Sequence, residues 1–464
     1  MEQALSATLE SAQVPAASGL RAGILSPMET LAQSISTIAP TASPTMTVPL
    51  VFALAGNGTW LAYLLATSAI LLMALVIAKF ARHTSCSGSL YTYATSSLPP
   101  WVSGIAGWAL LLAYVATAAS VSGGFINYAN VFAIDVFGRA VSPVLWGIVC
   151  VGGATFIAYR DVQVSARMML WIEAMSVTMI VLVLALLLWK NGLHIDASQL
   201  HLHGVSASGV RLGVVLALFS FVGFESATSL GAEAINPLRT IPRAVIQSAA
   251  FAGLFFILAA YLETLGMHTL GQDLGTSTAP LSALAGLAGV GKLGGFIDFG
   301  ALVSMFACTL ACLTAAARVM LRMAQNGLAH RALGTTHAQN STPHFAVLLT
   351  GFCTAVPVIY LAARGFSGTD IYGWLGSLSV YGFITAYGLA AVALPFYLKR
   401  KSNLSAGTLL IAIAAALAML LALAGTLYPV PDSPYNWLPY LYLGYIACGT
   451  GWYFISKRRQ TVAI

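Results

Sequence analysis

The chain has 464 residues, 58% of them hydrophobic and only 8% charged, with a mean hydropathy of +0.84. Soluble domains carry about 25% charged residues, so this composition excludes a soluble fold and points to an all-α polytopic membrane protein. The net charge of +7 does not indicate a nucleic-acid partner, because the basic residues stand at the ends of apolar runs, where they act as topology signals.

In chain order, residues 1–25 are polar and Ala/Ser-rich without an apolar core, which predicts a cytoplasmic N-terminal segment and no cleavable signal peptide. Runs of about 20 apolar residues can cross a bilayer. They predict helix 1 near 28–54, helix 2 near 59–80, helix 3 near 101–133, helix 4 near 142–159, helix 5 near 166–189 and helix 6 near 211–235. Helix 7 follows near 243–267, helix 8 near 293–323, helix 9 near 344–363, helix 10 near 370–398, helix 11 near 407–428 and helix 12 near 436–456. The outer connection, roughly 268–292, has room for a short surface helix that acts as a lid. With twelve transmembrane helices, sixteen of the 21 Lys and Arg residues fall on one side and five on the other. The positive-inside rule then puts both termini in the cytoplasm of a cell (inner) membrane.

Helix 1 contains "IAPTASPT" at 38–45, with Pro40 and Pro44 inside an apolar run. Interior proline removes a hydrogen bond and clashes with the preceding turn, at ~3 kcal/mol or more. Helix 6 contains "LFSFVGFESATSLGAEAINP", with Gly223 and Glu225 at mid-span. Glycine loosens a helix, and a carboxylate in a membrane is costly. Interrupted spans in corresponding positions of two halves point to an inverted-repeat transporter. Helices 1–5 (about 26–190) form one repeat and helices 6–10 (about 205–400) the other; residues 401–464 add helices 11 and 12 and a short cytoplasmic end. Unwound backbone is tolerated only beside protein or a watery cavity, and its exposed groups bind ions and charged ligands. Around "APTASP" the amides of Thr41, Ala42 and Ser43 are candidates for that contact.

The stretch "GFESATSLGAEAINPLRTIPRAV" resembles the helix 6 signature of the amino acid–polyamine–organocation transporters, through Gly223, Phe224, Glu225, Glu233, Asn236, Pro237, Arg239, Pro242 and Arg243. "SGSLYTYA" at 87–94 is similar to that family's segment after helix 2, and "ARVMLRMAQNGLAHR" followed by "TPHFAV" to its helix 8–9 loop, with Arg318, Gly327 and Pro343 in place. The resemblance covers about residues 25–400. It implies a LeuT-type 5+5 inverted repeat with discontinuous helices 1 and 6. Two positions depart from the pattern: "APTASP" replaces the family's Gly-Ser-Gly-type turn, and Ser85 stands where proline is usual. Some members carry a proton-coupling lysine in helix 5; Ser176 takes that place here, with Glu173 about one turn earlier.

The resemblance implies substrate contacts at Ile38, Thr41, Ala42 and Ser43 in helix 1 and at Phe219, Ser220, Val222 and Gly223 in helix 6. The bland alternatives are core packing for Phe219, helix flexibility for Gly223, and end-capping for Thr41 and Ser43. Glu225 has three open roles: proton carrier, partner of a substrate amine, or a hydrogen-bonded tie between helices 1 and 6. Glu173 faces either a coupling cavity, near helices 1 and 8 where sodium-coupled relatives hold their ion, or Arg167 at the membrane edge. Tyr114 and Thr117, Ser304 and Cys308, and Ser377 with Tyr381 either line the cavity or pack. Glu263 and Asp298, near outer helix ends, read as solvated or paired. The six cysteines read as free thiols, and the eight histidines suit no metal spacing.

These features predict a secondary active transporter for an amino acid or related small amine, working by alternating access with H+ or Na+ coupling or exchange. The alternative is a channel-like or substrate-sensing protein on the same scaffold. The sequence offers no phosphate loop for ATP and no nucleophile–base or metal grouping of an enzyme, so no cofactor is expected. The implied partners are a small-molecule substrate and the lipid bilayer; the sequence carries no signal for oligomeric state.

Overall fold

Each apolar run forms helix, because in hydrocarbon every backbone N–H and C=O must find its partner within the segment. The computed structural model describes residues 19–160, 162–190, 195–277, 279–428 and 430–462. Residues 1–18 of the expected N-terminal segment, the Arg167 side chain and His194 lie outside the described set. The main helices are α1 (Pro27–Ile38), α2 (Val48–Ala55), α3 (Thr59–Ala81), α4 (Pro100–Phe137), α5 (Pro143–Arg160), α6 (Val162–Lys190) and α7 (Ala207–Phe219). They continue with α8 (Pro237–Leu270), α9 (Lys292–Gln325), α10 (His344–Ala363), α11 (Gly368–Arg400), α12 (Ala406–Leu427) and α13 (Leu438–Val462). Among the described residues, nine helical stretches are long and apolar enough to cross a membrane; one, Pro27–Ala81, contains α1 to α3.

The interior is built on α4, which packs along α9 and α11, while α3 packs along α8. Leu410, Leu420 and Leu421 on α12 and Leu441 and Leu443 on α13 are exposed, as suits helices whose outer faces meet hydrocarbon. The end of the bundle that carries Arg82, Arg239, Arg243 and Arg322 is called the basic end below.

Both spans read as interrupted are broken in the structure. Ser26 starts α1 with a capping box: its hydroxyl accepts from the Glu29 amide at 3.3 Å, and the Glu29 carboxylate accepts from the Ser26 amide at 2.8 Å. The helix stops at Ile38, where Ala39 turns left-handed (φ 48°), and resumes as a five-residue π turn, Ser43–Thr47, that runs into α2. Pro44 sits in the first turn of that segment, where its missing donor costs least. The sixth span, read as 211–235 with an interruption at Gly223 and Glu225, breaks as expected but does not return to α-helix. It is α-helix only to Phe219, then turns and the 3-10 segment Ser226–Leu230. Gly223 causes the stop: its φ is +85°, and a Cβ there would run into the Thr37 side chain.

Residues 19–26 strap the basic end. Ile24 and Leu25 donate to the Glu233 carbonyl at 2.9 and 3.0 Å, and Ile235 donates to Leu25 at 2.8 Å. Arg21 reaches the Gln339 carbonyl at 2.7 Å.

Candidate substrate and coupling site

The two breaks face each other. The Thr37 and Ser226 hydroxyls pair at 2.8 Å, the Ala227 amide donates to the Ser34 hydroxyl at 3.1 Å, and Ser226 donates to the Gln33 carbonyl at 3.2 Å. Ile38, Thr41, Ala42 and Ser43 are buried here, as are Phe219, Ser220, Val222 and Gly223. One expectation fails: the Ala42 amide is not available, because it donates to the Ala39 carbonyl at 2.8 Å.

Away from the basic end, aromatic residues cover the breaks. The Tyr372 and Thr47 hydroxyls pair at 2.7 Å, Tyr128 donates to the Thr45 carbonyl at 3.2 Å, and Tyr63 pairs with Ser220 at 3.0 Å. The Phe219 ring meets Tyr372 edge-on at 5.4 Å between centroids. Toward the basic end, Glu225 closes the floor. Tyr114 of α4 donates to its Oε1 at 2.7 Å and Tyr387 of α11 to its Oε2 at 2.5 Å. Both oxygens therefore have partners, and neither is free for a substrate amine in this conformation. The tie runs from helix 6 to α4 and α11, not to helix 1.

Glu173 of α6 is 1% exposed and joins three elements. Thr41, in the first break, donates to its Oε2 at 3.2 Å, and Ser304 of α9 donates to its Oε1. One turn further along α9, the Cys308 thiol donates to the Thr37 carbonyl at 3.1 Å, an orphan acceptor at the end of α1. Glu173 also lines a cavity of about 390 Å³ between α1, α6 and α8, with Leu31, Val177 and Gln247 on its walls. Ser176 packs against Gly300 of α9, and its hydroxyl has no hydrogen-bond partner among the described residues.

Other expected residues lie elsewhere. Ser377 is half-buried and, among the described residues, bonds to neither break. Tyr381 packs against Leu438 and Tyr442 of α13, and Thr117 donates to the Ala113 carbonyl of its own helix. The face of α11 that meets the site carries Tyr372, Gly376 and Tyr387. A Cβ on Gly376 would meet the Phe219 ring at 2.8 Å. Spacing alone places these three on one stripe, one position away from the stripe through Ser377 and Tyr381. Glu263 and Asp298 are neither solvated nor fully paired: they are 0% and 3% exposed, and among the described residues Glu263 Oε1 and Oε2 and Asp298 Oδ1 have no hydrogen-bond partner.

The signature residues meet in space. Glu233 accepts a two-pronged bond from Arg318, at 2.6 Å from Nε and 2.9 Å from Nη2, both side chains buried. Ser85, the residue standing in for proline, donates to the Gly231 carbonyl at 2.5 Å, and the Ser89 and Thr228 hydroxyls pair at 2.6 Å. The segment after the second span thus holds the unwound part of the sixth.

Two broken helices tied together and floored by a hydrogen-bonded carboxylate are the anatomy of a membrane carrier. The chain belongs to the amino acid permease family, whose model matches residues 25–448, within the amino acid–polyamine–organocation superfamily; it is a transport protein and not an enzyme. It is 27% identical to a branched-chain amino acid permease, BcaP, of Bacillus subtilis, over 65% of this chain and 67% of that one. It is 24% identical to the methylthioribose transporter of the same organism, over 88% and 87%. With the low-affinity putrescine importer PlaP of Escherichia coli it shares 25% identity over 74% of each. Among solved structures it resembles MhsT in complex with L-phenylalanine, with a TM-score of 0.59, 16% identity, and 87% of this chain and 99% of that chain covered. It also resembles a Na+-coupled sialic acid symporter, with a TM-score of 0.55, 11% identity, and 86% and 90% covered. The structural likenesses establish a LeuT-type helical fold.

Proposed function

We propose that this protein is a secondary active transporter that moves an amino acid or related small amine by alternating access, with the proton as coupled ion and Glu173 as its carrier. The reading takes the twelve spans as a 5+5 inverted repeat plus two helices, with the basic end in the cytoplasm. The observation that carries it is the position of Glu173, which bridges the first break, α6 and α9 through Thr41 and Ser304. An ionised carboxylate only accepts hydrogen bonds, whereas a protonated one also donates. Gain or loss of a proton at Glu173 therefore changes the clamp on the broken helix, which links proton occupancy to the tilt of α1. Burial of an ionisable group inside a membrane domain supports the same role.

The substrate class follows from the charges around the breaks. Arg318, the largest fully buried side chain, is committed to Glu233, so it does not serve a dicarboxylate substrate. The named cargoes of the relatives (branched-chain amino acids, methylthioribose and putrescine) support small solutes, mostly carrying an amine. Counterflow in proteoliposomes with labelled L-leucine, putrescine and methylthioribose tests the reading. Trans-acceleration of at least one probe, with accumulation driven by a pH gradient and not by a sodium gradient, is the expected result. Flux without trans-acceleration identifies a channel, binding without flux identifies a sensor, and sodium-driven accumulation removes the proton assignment.

A further inference from the structure

Glu263 lies on α8, in the half away from the basic end, and plays no part in the site described so far. It is 0% exposed, and neither of its oxygens has a hydrogen-bond partner among the described residues. An ionised carboxylate in such a place carries an uncompensated desolvation penalty. Gly266, on the same face about one turn further along, shows what covers it: a Cβ there would meet Leu284 at 2.5 Å and Leu187 at 2.8 Å. The short helix Pro280–Leu287 and the end of α6 are therefore pressed onto this face, with Leu281, Leu284 and Ala285 buried.

The surroundings connect Glu263 to the breaks and, among the described residues, leave it without a counter-charge. It lies within electrostatic reach of Tyr63, which pairs with Ser220 in the second break, and of Tyr128, which bonds to Thr45 in the first. Tyr128 is also within reach of Asp298 on α9, which in turn feels Asp135 on α4. Among the described side chains, the remaining charged groups on elements packed against α8 are engaged elsewhere or stand at the basic end. Lys190 donates to the Leu287 carbonyl at 2.8 Å, His268 pairs with Asp196 at 3.0 Å, and Asp273 accepts from the Gly275 amide at 2.8 Å. Lys79, Arg239 and Arg243 stand at the basic end, Glu29 is in the α1 capping box, and Glu173 is bonded to Thr41 and Ser304. The α2 helix, the Ser43–Thr47 turn, the Ser226–Leu230 segment and Pro280–Leu287 contain no ionisable side chain.

We propose that Glu263 is a second proton-binding site of the carrier, occupied while the Pro280–Leu287 helix covers it. Displacement of that helix admits water, the carboxylic acid releases its proton to that side, and the hydrated carboxylate persists until reclosure, when it takes a proton back. The proton is a ligand small enough for a fully buried carboxyl group. Its role in transport rests on the transport reading; its presence on Glu263 does not.

The test is infrared spectroscopy of the full chain in lipid nanodiscs at neutral pH, as wild type minus Glu263→Gln. A carboxylic-acid C=O stretch, lowered by deuteration, is expected. It should persist in a Glu173→Gln background and reappear at a shifted frequency in Glu263→Asp, the variant that also controls for misfolding. A carboxylate band pair in its place, or one that changes on adding NaCl or putrescine, would mark a cation site and overturn the proposal. In reconstituted vesicles, Glu263→Gln should retain counterflow at the wild-type proton-to-substrate ratio, because the proton returns to the side it left, while the dependence of counterflow on the pH of that side is lost; an unchanged pH dependence overturns the role in transport. Loss of pH-driven uptake in Glu173→Gln with the Glu263 band intact separates the two sites.

Discussion

Glu173 and Glu225 are both buried carboxylates beside a helix break, yet their partners differ. Glu225 holds two tyrosines whose rings are themselves packed, Tyr114 against Phe383 and Tyr387 against Phe224 and Phe383. Glu173 holds two small hydroxyls, one in the first break and one on α9. Tyr387→Phe leaves one buried oxygen of Glu225 without a donor, which costs about 1–3 kcal/mol. The expected result is a lower Tm in detergent and a leak of probe across the basic end, measured as efflux from loaded vesicles. Gly223→Ala puts a side chain at φ +85° against Thr37. Left-handed backbone costs an L-residue about 1–2 kcal/mol, so Tm falls by at least that equivalent and counterflow is lost. At this scale the sequence singled out Glu173, Glu225 and Gly223, which the structure places beside the breaks, but not their partners, and it misread Glu263 and Asp298 as solvated or paired. It was misleading where a choice of helix face decided the matter. Ser377 and Tyr381 share a stripe, as do Tyr372, Gly376 and Tyr387, and no pattern within a span apolar all round says which stripe faces inward.

At the scale of elements, the apolar helices were legible because composition alone requires them. The extent of the second break was not. Nothing in "ESATSLGAEAIN" forbids helix, and it unwinds because Gly223 turns beneath Thr37 and Ser85 and Ser89 supply partners for the freed backbone and hydroxyls. The Glu233–Arg318 pair fixes the far side of the same stretch. Removing one partner of a buried pair costs about 3–5 kcal/mol, so Glu233→Gln should lower Tm sharply and detach the strap at Ile24 and Leu25, read as faster amide exchange there. A surface clip closes the other end. Partial burial would raise the Asp196 carboxyl, but donors from Ser198, Gln199 and His268 outweigh it and hold it at about 2. Its folded value is below its unfolded value. The clip therefore contributes stability above the ordinary carboxylate range, and that contribution is lost as pH falls through about 2. Asp196→Asn should abolish this acid step in a Tm-against-pH curve while leaving neutral-pH transport intact.

For the whole molecule, the asymmetry of basic residues and the strap at residues 19–26 mark one end as distinct. Gln339 lies in the loop the strap touches, and Gln272 follows α8 at the opposite end; both are exposed. A membrane-impermeant maleimide added to intact cells should label Gln272→Cys and spare Gln339→Cys, and the reverse would invert the proposed orientation. Both breaks are covered in this conformation, by Phe219 and Tyr372 on one side and by Glu225 with its tyrosines on the other. On the proposed reading, alternating access consists of uncovering one side at a time, with Glu173 registering which way α1 leans. That claim is tested most directly by comparing wild type and Glu173→Gln in proteoliposomes, with a labelled probe that shows counterflow. The account predicts that the variant exchanges the probe as wild type does, while its pH-gradient-driven accumulation drops to the level of the gradient-free control. Undiminished pH-driven accumulation in Glu173→Gln would contradict it.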